Sequence, residues 1–238
     1  MAENQSRILE VSTALARALT PADLDETLRN ITGAAVAVLL QVDHASITVR
    51  HADGRLDSRA VTDDVLLDLD AKQYEWQEGP CYEGATDRPH VISSDLAHDE
   101  RYPRYGPAAV AVGIHSQAGL RLYENPRGVG ALNLYSRTVG ALDDLSELAG
   151  LFAHQAAVAI AYAGEVQDLN EAIRSRATIG QAVGIVMERY GLTDDRAFAF
   201  LTRLSSQRNV KLRLIAQEIV AAAEHRGEEE EQEDQPSD

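Results

Sequence analysis

Arginine is the residue type here whose chemistry and placement together ask for a partner. The chain has 238 residues and a net charge of −16, yet between Arg174 and Arg226 nine Arg or Lys side chains face only five acids. Residues 1–173 hold 13 basic and 26 acidic side chains, and residues 227–238 hold seven acids and no base. A guanidinium can grip phosphate through two parallel hydrogen bonds and can lie flat on an unpaired base. A basic block inside an acidic chain therefore points either to a nucleic-acid partner at that place or to a solvated helical face. The contact candidates are Arg176, Arg189, Arg203, Arg208, Lys211 and Arg213. Gln181 joins them as a polar donor and acceptor, suited equally to reading RNA or to bonding a neighbouring helix. Arg196, beside Asp194 and Asp195, is expected to pair with those acids.

A second group surrounds the single cysteine, Cys81, which excludes an internal disulfide framework. Cys81 follows Gly79-Pro80 in a loop-rich stretch. Trp76, Tyr82, Tyr102, Tyr105 and His115 are placed to line a small apolar pocket with a few polar groups around it. Each has a plainer alternative: core packing for the rings and a buried, inert thiol for Cys81. No phosphate-binding glycine loop, HExxH pattern, cysteine pair or nucleophile elbow occurs. The seven histidines are scattered. These absences predict no enzyme activity, no metal site and no cofactor.

Elements of two kinds must position these residues. Ile8, Val11, Leu15 and Leu19 predict a first helix, and Thr20-Pro21 the start of a second that carries Leu24, Leu28, Ile31, Ala35 and Val38. Alternation from His44, with Asp53-Gly54 as a turn, predicts a hairpin. A short helix follows near 63–74. From Gln77 to Pro107, glycine and proline predict loops around one brief strand at His90–Ser93. Strands over 113–123 and 128–136 precede an alanine-rich helix from about Asp143, with Leu142 closing the core. This order, without strict βα alternation, predicts an α+β fold with an antiparallel sheet flanked by helices. After Asn170 the pattern is wholly helical. Gly191 is a stop signal, Thr193 a cap and Asn209 a terminator, giving three helices packed around Ile185, Phe198, Leu201, Leu204, Ile215 and Ile219.

The ordered motifs Gln77-Glu78-Gly79-Pro80-Cys81-Tyr82-Glu83-Gly84, His90–Leu96, Asp99–Pro103, Gly113–Ser116 and Gly130–Tyr135 resemble the GAF domains of actinobacterial regulators. That resemblance implies an antiparallel sheet with a pocket roofed by loops, and dimerisation through terminal helices. The run Arg176–Arg189, followed by Gly191-Leu192-Thr193, Ala197-Phe198, Leu201–Leu204 and Leu212–Ala216, resembles an ANTAR domain. It departs from that pattern at Val183, where a basic residue is usual, and at Ser205-Ser206. The resemblance implies an all-α three-helix bundle that binds paired hairpins in leader transcripts and prevents a terminator from forming. The expected division is a GAF-like sensor domain over 5–165, a helical linker over 166–175, an ANTAR RNA-binding domain over 176–226 and a disordered acidic tail over 227–238. The expected protein is a cytoplasmic homodimer that regulates transcription antitermination and is free of the membrane. Its GAF-like part would sense a small molecule, a redox state or a partner. The competing reading is a DNA-binding or protein-interaction regulator whose GAF-like domain serves mainly for dimerisation.

Overall fold

The computed structural model describes residues 23–126, 128–143 and 146–233. The helix expected from Ile8 to Leu19 and the Thr20-Pro21 cap lie outside them. Contacts divide the chain between Glu165 and Val166 into two units.

In the first unit, helix α1 (Leu24–Val38) is capped by Asp23, whose carboxylate accepts from Glu26 N–H at 2.7 Å. Strands β1 (His44–His51) and β2 (Leu56–Arg59) form the hairpin turned at Asp53-Gly54, where Gly54 supplies a positive φ of 85°. Helix α2 (Val65–Trp76), helix α3 (Pro80–Thr86), strand β3 (His90–Ser93) and helix α4 (Tyr105–Ala111) follow. Strands β4 (Ser116–Asn125) and β5 (Gly128–Ser136) complete a sheet of order β2-β1-β5-β4-β3, with every neighbouring pair antiparallel.

Alternation separates the two faces of this sheet. Ala45, Ile47, Ala118, Leu120, Leu132 and Leu134 form one core with Leu28, Ile31 and Ala35 of α1 and Phe152 and Ala156 of α5 (Ser146–Tyr190). Leu142 is fully buried there, as expected. The opposite face carries Ser46, Thr48, Gln117, Asn133 and Tyr135, with α2, α3 and α4 lying over it.

Two expectations for this unit need correction. The stretch Gln77–Pro107 holds α3 and the start of α4 as well as β3, because Pro80 starts α3 at its first turn, where its missing N–H costs nothing. Strand β4 begins at Ser116 rather than Gly113, and Ile114 packs in the cluster of Tyr105 and Ala109 from α4. The turn that delivers Ile114 uses Gly113 at φ +85°.

In the second unit, α5 ends at Tyr190, where Gly191 adopts a left-handed φ of 62°. Helix α6 (Asp194–Arg208) is preceded by Thr193 and ends at left-handed Asn209. Helix α7 (Leu212–Glu233) runs through seven residues expected to be disordered. Glutamate is a good helix former, so the acidic run continues the helix that precedes it. The core comprises Ala182, Val183, Val186, Ala197, Leu201, Ile215 and Ala216, with Leu204 and Ile219 at its edge. Phe198, expected inside, is 46% exposed, and Ile185 lies outside the cluster. Ala197, Leu201 and Leu204 define the inward face of α6, and Phe198 points away from it. Val183, in place of a basic residue, is part of that core.

No helix among the described residues is long and apolar enough to cross a membrane.

Candidate functional site

Asp70 of α2 lies at the centre of the helix-covered face and is fully buried. Its Oδ2 accepts from Ser46 Oγ at 3.0 Å and Ser58 Oγ at 2.7 Å. Its Oδ1 accepts from Tyr135 Oη, from Gln73 Nε2 at 3.3 Å and from the Cys81 thiol at 3.7 Å. These donors come from β1, β2, β5, α2 and α3, so one carboxyl ties the sheet to its roof. Asn133 extends the network by donating to Ser46 Oγ and Thr48 Oγ1, and Tyr74 Oη sits 2.7–2.8 Å from Ser58 and Thr48.

Cys81 is held from three sides. Its N–H donates to Gln73 Oε1 at 2.9 Å, its sulfur accepts from Gln117 Nε2 at 2.7 Å, and Tyr135 Oη lies 3.1 Å away. Gln117 in turn accepts from Tyr105 Oη at 2.5 Å. Two glycines make this closeness sterically feasible. A Cβ on Gly79, whose φ is +112°, would meet the Gln73 side chain at 2.2 Å, and one on Gly119 would meet Pro80 O at 2.2 Å.

The electrostatics run against nucleophilic chemistry. Burial pushes the Asp70 carboxyl above its ordinary value, against the pull of hydrogen bonds from Tyr135, Ser58 and Ser46. Burial, and then the Asp70 charge, push the Cys81 thiol well up, and burial does the same to Tyr105 and Tyr135. A reactive cysteine needs a depressed pKa beside a cation or base. Here the arrangement holds protons in place and positions polar groups.

Of the pocket candidates, the structure brings together Cys81 and Tyr105 through Gln117, and Tyr102 meets Tyr105 edge to face at 6.4 Å. Trp76 packs at the margin of the same cluster, beneath the Arg104 guanidinium at 4.7 Å. Tyr82 and His115 are half-buried and are not joined to the network by any hydrogen bond found. Tyr102 faces the Glu83 carboxylate, and Asn133 Oδ1 is buried without a hydrogen-bond partner among the described residues. Asp70, Gln73, Tyr74, Gln117, Asn133 and Tyr135 were missed from the sequence. The available signal was the run of Ser46, Thr48, Asn133 and Tyr135 at alternate strand positions facing away from the leucines. Among the described residues, no group of three His, Cys, Asp or Glu is placed to hold a metal ion.

The second unit presents the other candidate group. Arg176, Gln181, Arg189, Arg203, Arg208 and Lys211 are exposed, and Arg213 is half-buried. Arg208 reaches Glu218 with two hydrogen bonds of 2.6 and 3.2 Å, and Arg213 pairs with Glu171 at 3.2 Å. No ion-pair partner is found among the described residues for Arg176, Arg189 or Arg203. Arg196, expected to pair with Asp194 or Asp195, makes no ion pair among the described residues either, because its side chain shares the Phe200 face of α6.

A family model described as a GAF domain matches residues 21–161, and one described as an ANTAR domain matches residues 167–220. Among solved structures, the fold is similar to bacteriophytochrome RpBphP3 from R. palustris. That match has a TM-score of 0.56 at 16% identity and covers 83% of this chain and 46% of that one. The Stigmatella aurantiaca phytochrome photosensory core module gives 0.54 at 15% identity, over 90% of this chain and 46% of that one. The chain thus spans less than half the length of either phytochrome chain, and the likeness is one of fold. No curated protein matches the chain in sequence.

Proposed function

The chain belongs to the GAF family and carries an ANTAR domain behind the GAF domain, and from that premise we propose an antitermination regulator whose GAF domain controls ANTAR binding to paired RNA hairpins. The coarse architecture is that of a transcription regulator, a sensory domain followed by an RNA-binding antitermination domain. The finer reading rests on one observation. In a chain of net charge −16, Arg176, Arg189 and Arg203 stand exposed and unpaired among the described residues of a single small helical unit. Unpaired arginines on a convex bundle suit phosphates and splayed bases better than the deep groove of duplex RNA.

The input is a small polar ligand or a partner. The buried, hydrogen-bonded Cys81 thiol argues against a redox input, whereas Tyr102 and Glu83, facing each other beside the roof helices, offer polar groups to a ligand. The protein acts as a homodimer. Leu169 and Ile173, one helical turn apart on α5 and each 64% exposed, form an apolar strip that a second copy would cover. Its place of work is the cytoplasm, and its role is regulatory rather than enzymatic.

Binding of the full chain to a two-hairpin RNA, a scrambled RNA and a DNA duplex across a salt series tests the proposal. Selective hairpin binding is expected, and Arg203→Ala should lower the slope of log K against log salt by about one. Equal binding to all three, or preference for the duplex, refutes it in favour of a DNA-binding or protein-interaction role.

A further inference from the structure

Arginine contacts leave one property of the C-terminal unit unaccounted for, its exposed aromatic rings. Tyr190 is 58% exposed, Phe198 46% and Phe200 41%, so two of the chain's three phenylalanines face solvent on one short helix. The bundle core closes without them, from alanine, valine, leucine, isoleucine and methionine alone.

Tyr190 and Phe200 belong together. Tyr190 is the last residue of α5 and Phe200 lies on α6, and their ring centroids are 5.8 Å apart with planes tilted by 41°. The connection between them is fixed rather than loose. Gly191 turns the chain at φ +62°, Leu192 N–H bonds Met187 O at 3.1 Å, and the Leu192 side chain packs against the core. Phe198 is not part of the pair, since at about 100° per residue it falls on the opposite flank of α6, beside Asp194.

The surroundings of the pair are cationic. Arg196 stands four residues before and Arg203 three residues after Phe200 on the same face of α6, and Arg189 precedes Tyr190. None of the three has an ion-pair partner among the described residues. The nearby acids Asp194 and Asp195 project from α6 away from the Phe200 face at this spacing.

The apolar area is small. Two half-exposed rings of about 150–250 Å² each, ringed by Arg196, Arg203 and Gln207, fall well short of the roughly 800 Å² per partner of a stable protein interface. They match the face of one nucleobase. We propose that Tyr190 and Phe200 form a stacking platform for an unpaired RNA base, with Arg196 and Arg203 on the phosphates either side of it. This assignment rests on the RNA-binding reading above and adds to it the feature recognised, an unstacked base rather than the hairpin stem. A base lying on an aromatic face gains affinity without base-pair readout, so the platform selects loops over duplex.

The test uses the full chain and a two-hairpin RNA carrying 2-aminopurine at a loop position, beside the same sequence closed into a continuous duplex. Wild type should quench the 2-aminopurine on binding. Tyr190→Leu and Phe200→Leu keep apolar volume but lose the stacking face. They should weaken hairpin binding by about five- to a hundredfold, leave duplex binding unchanged and abolish quenching. Phe200→Trp should restore both readings and guards against a variant that simply fails to fold. Leucine variants that bind the hairpin like wild type overturn the platform while leaving the RNA reading intact. Leucine variants that change sedimentation but not RNA affinity also overturn it, and make the rings a protein contact. Wild type that shows no hairpin preference overturns the RNA reading and the platform together.

Discussion

Replacing Asp70 separates two roles for a buried carboxyl, proton-holding acceptor or trapped anion. Alanine at this position removes the acceptor of five donors at once. The donors do not suffer equally. Ser46, Ser58 and Tyr135 retain other partners within 3.0 Å, 2.7 Å and 3.1 Å, whereas no second acceptor is found for Gln73 Nε2. One or two orphaned donors plus a small cavity set the cost of Asp70→Ala at about 3–5 kcal/mol. Asparagine keeps the shape and one oxygen, and the serine hydroxyls can turn to accept from its amide, so Asp70→Asn should cost about 1–2 kcal/mol. The difference has a sign in pH. Burial raises the folded-state pKa of Asp70 above its unfolded value, so the native state binds the extra proton. The stability this contributes is complete below the unfolded pKa and is lost as pH rises through the folded one. Asparagine does not titrate. The deficit of Asp70→Asn should therefore shrink as pH rises from about 4, the ordinary carboxyl value, towards neutrality, measured by urea unfolding at each pH. A deficit that grows over that interval would show Asp70 held as an anion by its donors, and the reasoning from burial would be wrong.

Cys81, fully buried with its thiol pKa pushed up by burial and by Asp70, should resist an aromatic disulfide reagent in the native protein and react once urea unfolds it; stoichiometric labelling within seconds under native conditions would contradict this. Gly119→Ala places a Cβ 2.2 Å from Pro80 O, so α3 must lift from β4 at a cost of about 1–3 kcal/mol, and an unchanged melting temperature would show that the contact yields freely.

The fold was legible where one face of an element carries one kind of residue. Ala45, Ile47, Leu132 and Leu134 announced two strands and their inward face, and His90–Ser93 was placed to the residue because Pro89 and Ser94 bound a short apolar run. The helices of the basic block were legible from Gly191, Thr193 and Asn209, whose backbone conformations end or begin a helix. Phe198 was misplaced because apolar character marks a core face only when its spacing agrees, and Ala197-Leu201-Leu204 outvoted it. The polar network was invisible for a different reason. Asp70 lies in a helix of mixed character, and its partners Ser46, Ser58, Cys81 and Tyr135 are 11 to 65 residues distant in sequence. No local pattern marks a hydrogen bond that only the assembled sheet brings about. Arg196 was misread because adjacency to Asp194 and Asp195 along the chain is not adjacency on a helix.

The strand order β2-β1-β5-β4-β3 also bears on how the chain is made on the ribosome. The strand synthesised last occupies the middle, so β1 with β2, and β3 with β4, are separate half-sheets until β5 arrives. The hydrogen bond between Ser46 and Tyr135 spans 89 residues, which at about 5–20 residues per second is roughly 4–18 s of elongation. Throughout that interval β1 presents a bare edge, joined by that of β4 once Asn125 has been added, the kind of surface on which nascent chains pair with the wrong neighbour. A ribosome stalled before Gly128 would hold two such edges open, and release of Ser136 closes both in a single step.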